Sequence, residues 1–434
     1  MDELSADRLY QAVGESFGRI NDGTLKTPIY STKDVLLSGQ AIFSQKYPSF
    51  LSFEEDLAAS NAKTQNLKML MGIGQIPSDT QTRERIDRID PSQLRPTFVD
   101  IHNLAKEAGV YEAFKFNDKF LLAVDGTGFY SSNNVSCEHC MTKKHSSGSI
   151  AYGHQALGIV MIHPDLKQVL PFAPEFISNQ DGHQKNDSER NAAKRLLVKT
   201  RAENPNMPII IVEDGLSSNG PHIELLQELN MGFILGAKPG DHKLLFENFE
   251  KARQDGTLET FIVNKDNTKY EVEILNDTGL NASTQIRINF IQIKLTNKNG
   301  KKTTFSWVTD QELNRDTWFP IMRAGRCRWK IENETLNTLK NQGYHFEHNY
   351  GHGYKHLCNN FGTLMFLQFL LDQLMELSWL LFQVVRNMRS SRKAMWDHIR
   401  TLFYFMPLTC WNDLFLILSG KLQIGIMPVE PDTC

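Results

Sequence analysis

Two aspartates occupy matching positions in this chain. In "KFLLAVDGTGFYSS" a run of apolar residues ends on Asp125, and in "MPIIIVEDGLSSNG" another ends on Asp214, each followed by glycine. A carboxylate at the end of a buried strand is held on a rigid element and faces the rim where open α/β sheets place their ligands. Asp-Gly is also ordinary turn chemistry, so either aspartate alone reads equally well as a turn. A third acid, Glu332, lies in "RCRWKIENETLNTLK", where Arg328, Glu332, Leu336 and Lys340 recur four residues apart. That spacing sets them along one slowly drifting helical stripe. A ladder of ion pairs on a solvated face has the same spacing, but Trp329 and Ile331 beside the acid suggest a packed helix with Glu332 at its polar margin. Asp181, in "SNQDGHQKND", also follows a strand-like run and precedes glycine, but it stands just ahead of a helix start and reads as loop chemistry.

A second set of residues has metal-ligand types. Cys137-x2-Cys140, followed by His145 and His154, forms a knuckle suited to structural zinc. No second knuckle is present, and a reduced pair in a β-turn between two strands is the other reading. His345, His348, His352 and His356 are also ligand types, but Gly351 and Gly353 interrupt any helix that would align them.

The elements that must position these groups follow from apolar periodicity. Residues 1–112 read as helices, as in "DVLLSGQAIFSQKY" and "FVDIHNLAKEAGVYEAF". From residue 118 the pattern changes to "KFLLAVD", "AYGHQALGIVMIHP" and "KQVLPFAPEFI", three strand-like runs separated by turn residues. A helix follows, then the strand ending at Asp214, a short helix from Pro221, and the strand "MGFILGAKPG". The order β-β-β-α-β-α-β describes an α/β core over residues 113–245 and 310–355. Residues 246–309 alternate apolar and polar with period two and read as an inserted antiparallel β subdomain. A helix is expected over about 317–341, and residues 356–434 read as a helical C-terminal region.

The 434 residues carry a formal net charge of −3, so any nucleic-acid surface must be a local basic patch. Arg386, Arg389, Arg392, Lys393 and Arg400 form one basic stretch, either a solvated loop or a phosphate-contacting surface. Six cysteines in a chain of this length point to a reducing cytoplasm. The apolar segment 361–385 contains Asp372 and Glu376, each costing roughly 2.5–3.5 kcal/mol at a bilayer centre. It reads as a buried amphipathic helix, and no membrane partner is expected.

With these residues in hand, the chain resembles bacterial insertion-sequence transposases of the DDE class, whose catalytic core is RNase H-like. The resemblance rests on "AVDGTGFYSS", "IIIVEDGLSSNGPHIELLQ" and "RWKIENETLNTLKNQGYHFEH", on the element order, and on the β-rich insertion typical of the cut-and-paste branch, and it spans about residues 118–355. It implies that Asp125 and Asp214 lie on neighbouring strands with Glu332 arriving from a helix. The three would be the catalytic, metal-holding residues, taking Mg²⁺ or Mn²⁺, hard cations that prefer oxygen ligands. The family's third motif is often Tyr-x2-Arg-x3-Glu-x6-Lys. Here Arg328 and Glu332 keep their spacing, Gly325 replaces the tyrosine, and Lys340 comes one residue late. The resemblance makes Arg328 a DNA-phosphate contact, with Lys340 or Lys330 as a second. It further implies double-stranded DNA as partner, both element ends and target, with a homodimer on DNA acting at the nucleoid. A nuclease of the same fold without strand transfer, and a non-catalytic DNA-binding protein derived from a transposon, are the alternatives.

Overall fold

The computed structural model describes residues 3–23, 28–181, 185–282 and 284–423, and the chain divides into two compact units. One comprises residues 1–110 with 338–434, the other residues 111–337.

The first unit is helical. Six of its helices begin at a serine, namely Ser5, Ser31, Ser49, Ser60, Ser78 and Ser391, whose side chain accepts from a backbone N–H of the first turn. Each such cap satisfies a donor that has no partner within the helix, and losing one costs about 1 kcal/mol. The centre is the 22-residue helix Leu357–Ser378, buried from Leu357 through Met375. Its acid Asp372 is buried but compensated: Lys46 Nζ lies 2.7 Å away, Gln368 donates at 2.8 Å, and Tyr344 donates through its hydroxyl. The helix ends at Trp379, and the next, Leu380–Asn387, turns away by 94°. No single helix among the described residues is long and apolar enough to cross a membrane, although this bent pair together meets that test of length and composition. The basic stretch is largely occupied by its own unit. Arg392 grips Glu376 through two hydrogen bonds, Arg400 reaches Asp397 and the carbonyls of Gln45 and Lys46, and Arg389 donates to His398 and to the Leu418 carbonyl.

The second unit is built on one mixed sheet of twelve strands. In chain order these are β1 Lys115–Phe116, β2 Lys119–Ser132, β3 Met141–Lys144, β4 Ile150–Ile162, β5 Leu170–Pro171, β6 Glu175–Ile177, β7 Ile209–Glu213, β8 Gly232–Gly236, β9 Glu259–Lys265, β10 Thr268–Gly279, β11 Arg287–Thr296 and β12 Lys302–Thr309. Across the sheet the order is β3-β4-β2-β7-β8-β12-β11-β10-β9, with β1 paired to β2 and both β5 and β6 paired to β4. The pairs β2–β7 and β7–β8 are parallel, and β2–β4 is antiparallel. Burial explains the composition. Every residue of β7 is buried, as expected of a central strand covered on both faces, so its sequence is continuously apolar up to Glu213. Ile211 is fully buried, and truncating it to alanine would cost about 2–5 kcal/mol.

Four expectations from periodicity change here. First, β2 does not stop at Asp125. It runs 14 residues, because β4 keeps pairing with it through Asp125↔Gly158 and on to Ser132↔Tyr152. Second, "KQVLPFAPEFI" yields only the short β5 and β6, since Pro171 and Pro174 carry no N–H for a continuous ladder. Third, the segment expected to be a separate β subdomain starts inside the helix Lys243–Gln254, whose Leu245, Phe249 and Ala252 bury one face. Its four strands extend the core sheet, joined through Trp307↔Gly236, Val308↔Leu235 and Thr309↔Ile234. Fourth, the helix expected over 317–341 is interrupted: an α-helix Trp318–Cys327 leads to a π-helical turn Ile331–Leu336, and then to Asn337–Asn341.

Candidate functional site

Strand pairing brings the two aspartates together. The last paired residues of the parallel β2–β7 ladder are Ala123 and Val212. Asp125 and Asp214 each stand two residues further along their strand lines, so they share a face just beyond the same end of that ladder. Asp125 is still within β2, whereas Asp214 begins the turn after β7, with its Oδ1 accepting from Leu216 N–H at 2.9 Å. The intervening Glu213 points to the opposite face. There it is buried 2.6 Å from His222 Nε2; burial by itself would lower the imidazole's pKa, but the charge and the hydrogen bond of Glu213 together outweigh burial and raise it.

Glu332 enters from the π-helical turn. π-turns insert an extra residue into a helix and frequently occur at functional sites. The link between the acids is Arg328, at the C-terminal end of the helix Trp318–Cys327. Its Nη1 lies 2.7 Å from Glu332 Oε1 and 3.7 Å from Asp125 Oδ2. The electrostatics report the same convergence. The Asp125 carboxyl is pushed up to about 6, chiefly by burial; the Gly126 N–H at 2.8 Å and Arg328 oppose this, and the charges of Glu332 and Asp214 add to it.

Asp214, Arg328 and Glu332 line a cleft of about 670 Å³ together with Lys238, Arg326 and Trp329. Trp329, expected to pack its helix, is instead 52% exposed, with the Arg328 guanidinium 4.8 Å above its ring. Gly325 has a local cause: a Cβ there would lie 2.5 Å from the Trp307 indole. The helix sits so close to β12 that no side chain fits.

The other candidate residues are engaged elsewhere. Lys330 donates from Nζ to the carbonyls of His163 at 2.6 Å, of Pro164 at 3.4 Å and of Leu166, so it ties down the turn after β4. Lys340 belongs to the helical unit and pairs with Glu347 at 2.8 Å. Asp181 is buried and held by Arg195, which also binds Glu175. Burial disfavours its charge, but hydrogen bonds from Arg195 and Ser178 outweigh burial and keep its carboxyl below the usual range.

A second cluster lies in the same unit. Cys137, Cys140 and His154 bring their ligand atoms together in an arrangement able to hold a metal ion. His145 instead closes a turn, its N–H donating to the Ser149 carbonyl. Sequence reasoning did not single out Arg326 or Lys238, whose only signal was their charge. Comparison with protein-family models and with curated proteins finds no match to this chain.

Proposed function

We propose that this protein is a DDE-class transposase that cleaves DNA at the ends of its element and joins them to a target. The observation that carries the reading is the position of Asp125 and Asp214, side by side at one edge of neighbouring parallel strands, with Glu332 linked to Asp125 through Arg328. An RNase H-like core needs the two aspartate-bearing strands adjacent and the third acid on a following helix, and this arrangement supports it. The donor set fits the metal: carboxylate oxygens are the ligands Mg²⁺ and Mn²⁺ prefer. Bound there, such ions activate the attacking oxygen and stabilise the leaving one in an in-line phosphoryl transfer.

The chain's own residues supply the rest. Asp125, Asp214 and Glu332 would hold the cations. Arg328 pairs with Glu332 and lies beside Asp125, and it would offer its guanidinium to a DNA phosphate. Arg326 and Lys238 line the same cleft as further phosphate contacts, and the exposed face of Trp329 is a surface on which a base can stack. The one-residue excess between Glu332 and Lys340, relative to the family spacing, is the excess that a π-turn introduces. Holding two element ends together for joining calls for at least a dimer on DNA.

The test uses the DNA flanking the gene as substrate. Asp125→Asn, Asp214→Asn and Glu332→Gln should each abolish Mg²⁺-dependent nicking and joining while leaving DNA binding in place. Double variants should be no worse than single ones, because one missing ligand already disables the site. Full nicking by all three variants would sink the catalytic reading, and cleavage without joined product by the wild type would make the protein a nuclease.

A further inference from the structure

The geometry of the cysteine–histidine cluster goes beyond the DNA chemistry. Cys137 and Cys140 flank a two-residue turn in the excursion between β2 and β3, and the Cys140 N–H donates to the Cys137 carbonyl at 3.2 Å. Their Sγ atoms are 3.8 Å apart. His154, on β4, directs Nε2 at both, 3.5 Å from Cys137 Sγ and 3.4 Å from Cys140 Sγ.

These separations can be checked against zinc. With Zn–S of about 2.3 Å and Zn–N of about 2.0–2.1 Å, a tetrahedral ion sets its sulfurs about 3.8 Å apart and each sulfur about 3.5–3.6 Å from the nitrogen. The three distances seen here are the edges of one such face. Burial agrees, since Cys140 is 1% and His154 2% exposed. The surroundings also orient the ligands. The Cys137 N–H donates to Cys140 Sγ at 3.4 Å, as outer hydrogen bonds to metal-bound thiolates do, and the rings of Phe129 and Tyr130 flank the imidazole.

A redox dithiol is the competing use of Cys-x2-Cys, and the hydrogen bond with the Cys137 side chain does hold the Cys140 thiol below its usual value, but the reactive pairs of that kind sit at a helix N-terminus and need no third donor at metal distance. Here the segment lies between strands and opens no helix. We propose that Cys137, Cys140 and His154 bind one Zn²⁺ as a structural centre, with a further donor completing the tetrahedron. The ion pins the β2–β3 excursion to β4, where Tyr130↔His154 and Met141↔Gly153 are the neighbouring registers.

The experiment uses the full chain purified without chelator. Elemental analysis should find about one zinc per chain, and X-ray absorption at the zinc edge should show two sulfur ligands and at least one imidazole. Exchange for Co²⁺ should produce a thiolate-to-cobalt charge-transfer band with tetrahedral d–d absorption. Cys137→Ser/Cys140→Ser should hold less than about a tenth of the wild-type zinc and lose the band. Undiminished zinc in that variant would overturn the proposal. Should the variant not fold, the wild type still decides: a folded, cobalt-treated chain without the charge-transfer band, or freshly purified protein with a Cys137–Cys140 disulfide and no metal, ends the idea.

Discussion

Arg328 occupies the space between two acids that the proposed metal must use, and this gives a prediction with an unusual sign. Arg328→Gln should tighten divalent-metal binding in the absence of DNA, although the same change should impair DNA cleavage. Two ion pairs connect Arg328 to the cluster, at 2.7 Å to Glu332 and 3.7 Å to Asp125. In a water-like dielectric these are worth about 1.5 and about 1.1 kcal/mol. The acids are 34% and 32% exposed and Arg328 12%, so the site is partly solvated, and solvent screening together with the desolvation of the partners leaves a net interaction of about 1 kcal/mol. A cation entering the wild-type cluster must displace that interaction, whereas in Arg328→Gln it need not. The metal dissociation constant should therefore fall about five- to tenfold. One effect opposes this: without Arg328 the Asp125 carboxyl rises further above 6, so protons compete more strongly in weak acid. Calorimetric titration with Mn²⁺ at about pH 8 removes that competition, with Asp125→Asn as the blank. The same variant should cleave more slowly, and the salt dependence of its DNA binding should lose about one unit of slope. A folded Arg328→Gln whose Mn²⁺ affinity is unchanged or weaker would refute the displacement argument.

Asp181→Asn should keep Mg²⁺-dependent cleavage but lower stability by about 1–2 kcal/mol, because it removes one of the two carboxylates that Arg195 pairs with and leaves Glu175 as the other. The Asp181 carboxyl is held below its unfolded value, so this stability is present at neutral pH and is lost as pH falls through the folded pKa; the wild-type and variant denaturation curves should converge in acid. Lys63 is fully buried, its ammonium donating to the Phe53 carbonyl at 2.8 Å, and burial pushes its pKa down to about 7. The unfolded chain then binds more protons between pH 7 and about 10.4, so stability should rise with pH across that window, a slope that Lys63→Met should flatten in urea titrations. Gly325→Ala should destabilise by about 1–3 kcal/mol through its clash with Trp307, and a loss below about 0.5 kcal/mol would show that the helix stands further from β12.

What the sequence revealed depends on whether the cause was local. β7 was legible because a strand buried on both faces writes its burial as an unbroken apolar run ending at an acid. The continuation of β2 beyond Asp125 was not, because it is sustained by pairing with β4, a partner distant in sequence, and Gly-Thr-Gly looks like a turn in isolation. Arg328 and Glu332 were linked by their spacing, but the approach of Arg328 to Asp125 is tertiary. Lys330 illustrates the opposite failure: its partners are carbonyl groups, which every residue possesses and no sequence pattern marks. The π-turn was not legible, because the four-residue spacing from Arg328 to Lys340 reads equally as a continuous α-helix. Between His145 and His154 the choice was tertiary, since β4 sets His154 opposite Tyr130 with Nε2 aimed at both sulfurs.

Strand β2 joins the two sites and explains how they can remain independent. At Asp125 it is buttressed by β4 on one side and lies just beyond its ladder with β7 on the other. Past the register shift between Gly128 and Tyr130, β4 is the strand that continues to pair with it. A sheet segment with fewer partners opens at lower free energy than the sheet centre. A metal tie from Cys137 and Cys140 to His154 acts on that weaker end, where closing the excursion restrains the most freedom. The acids depend on the centre, whose buried apolar residues Leu121, Leu122, Ala123 and Ile211 hold the register regardless of the tie. Loss of zinc should thus be felt first as fraying near residues 130–144 and only afterwards at Asp125, which would separate the proposed structural metal from the proposed catalytic one on the same strand.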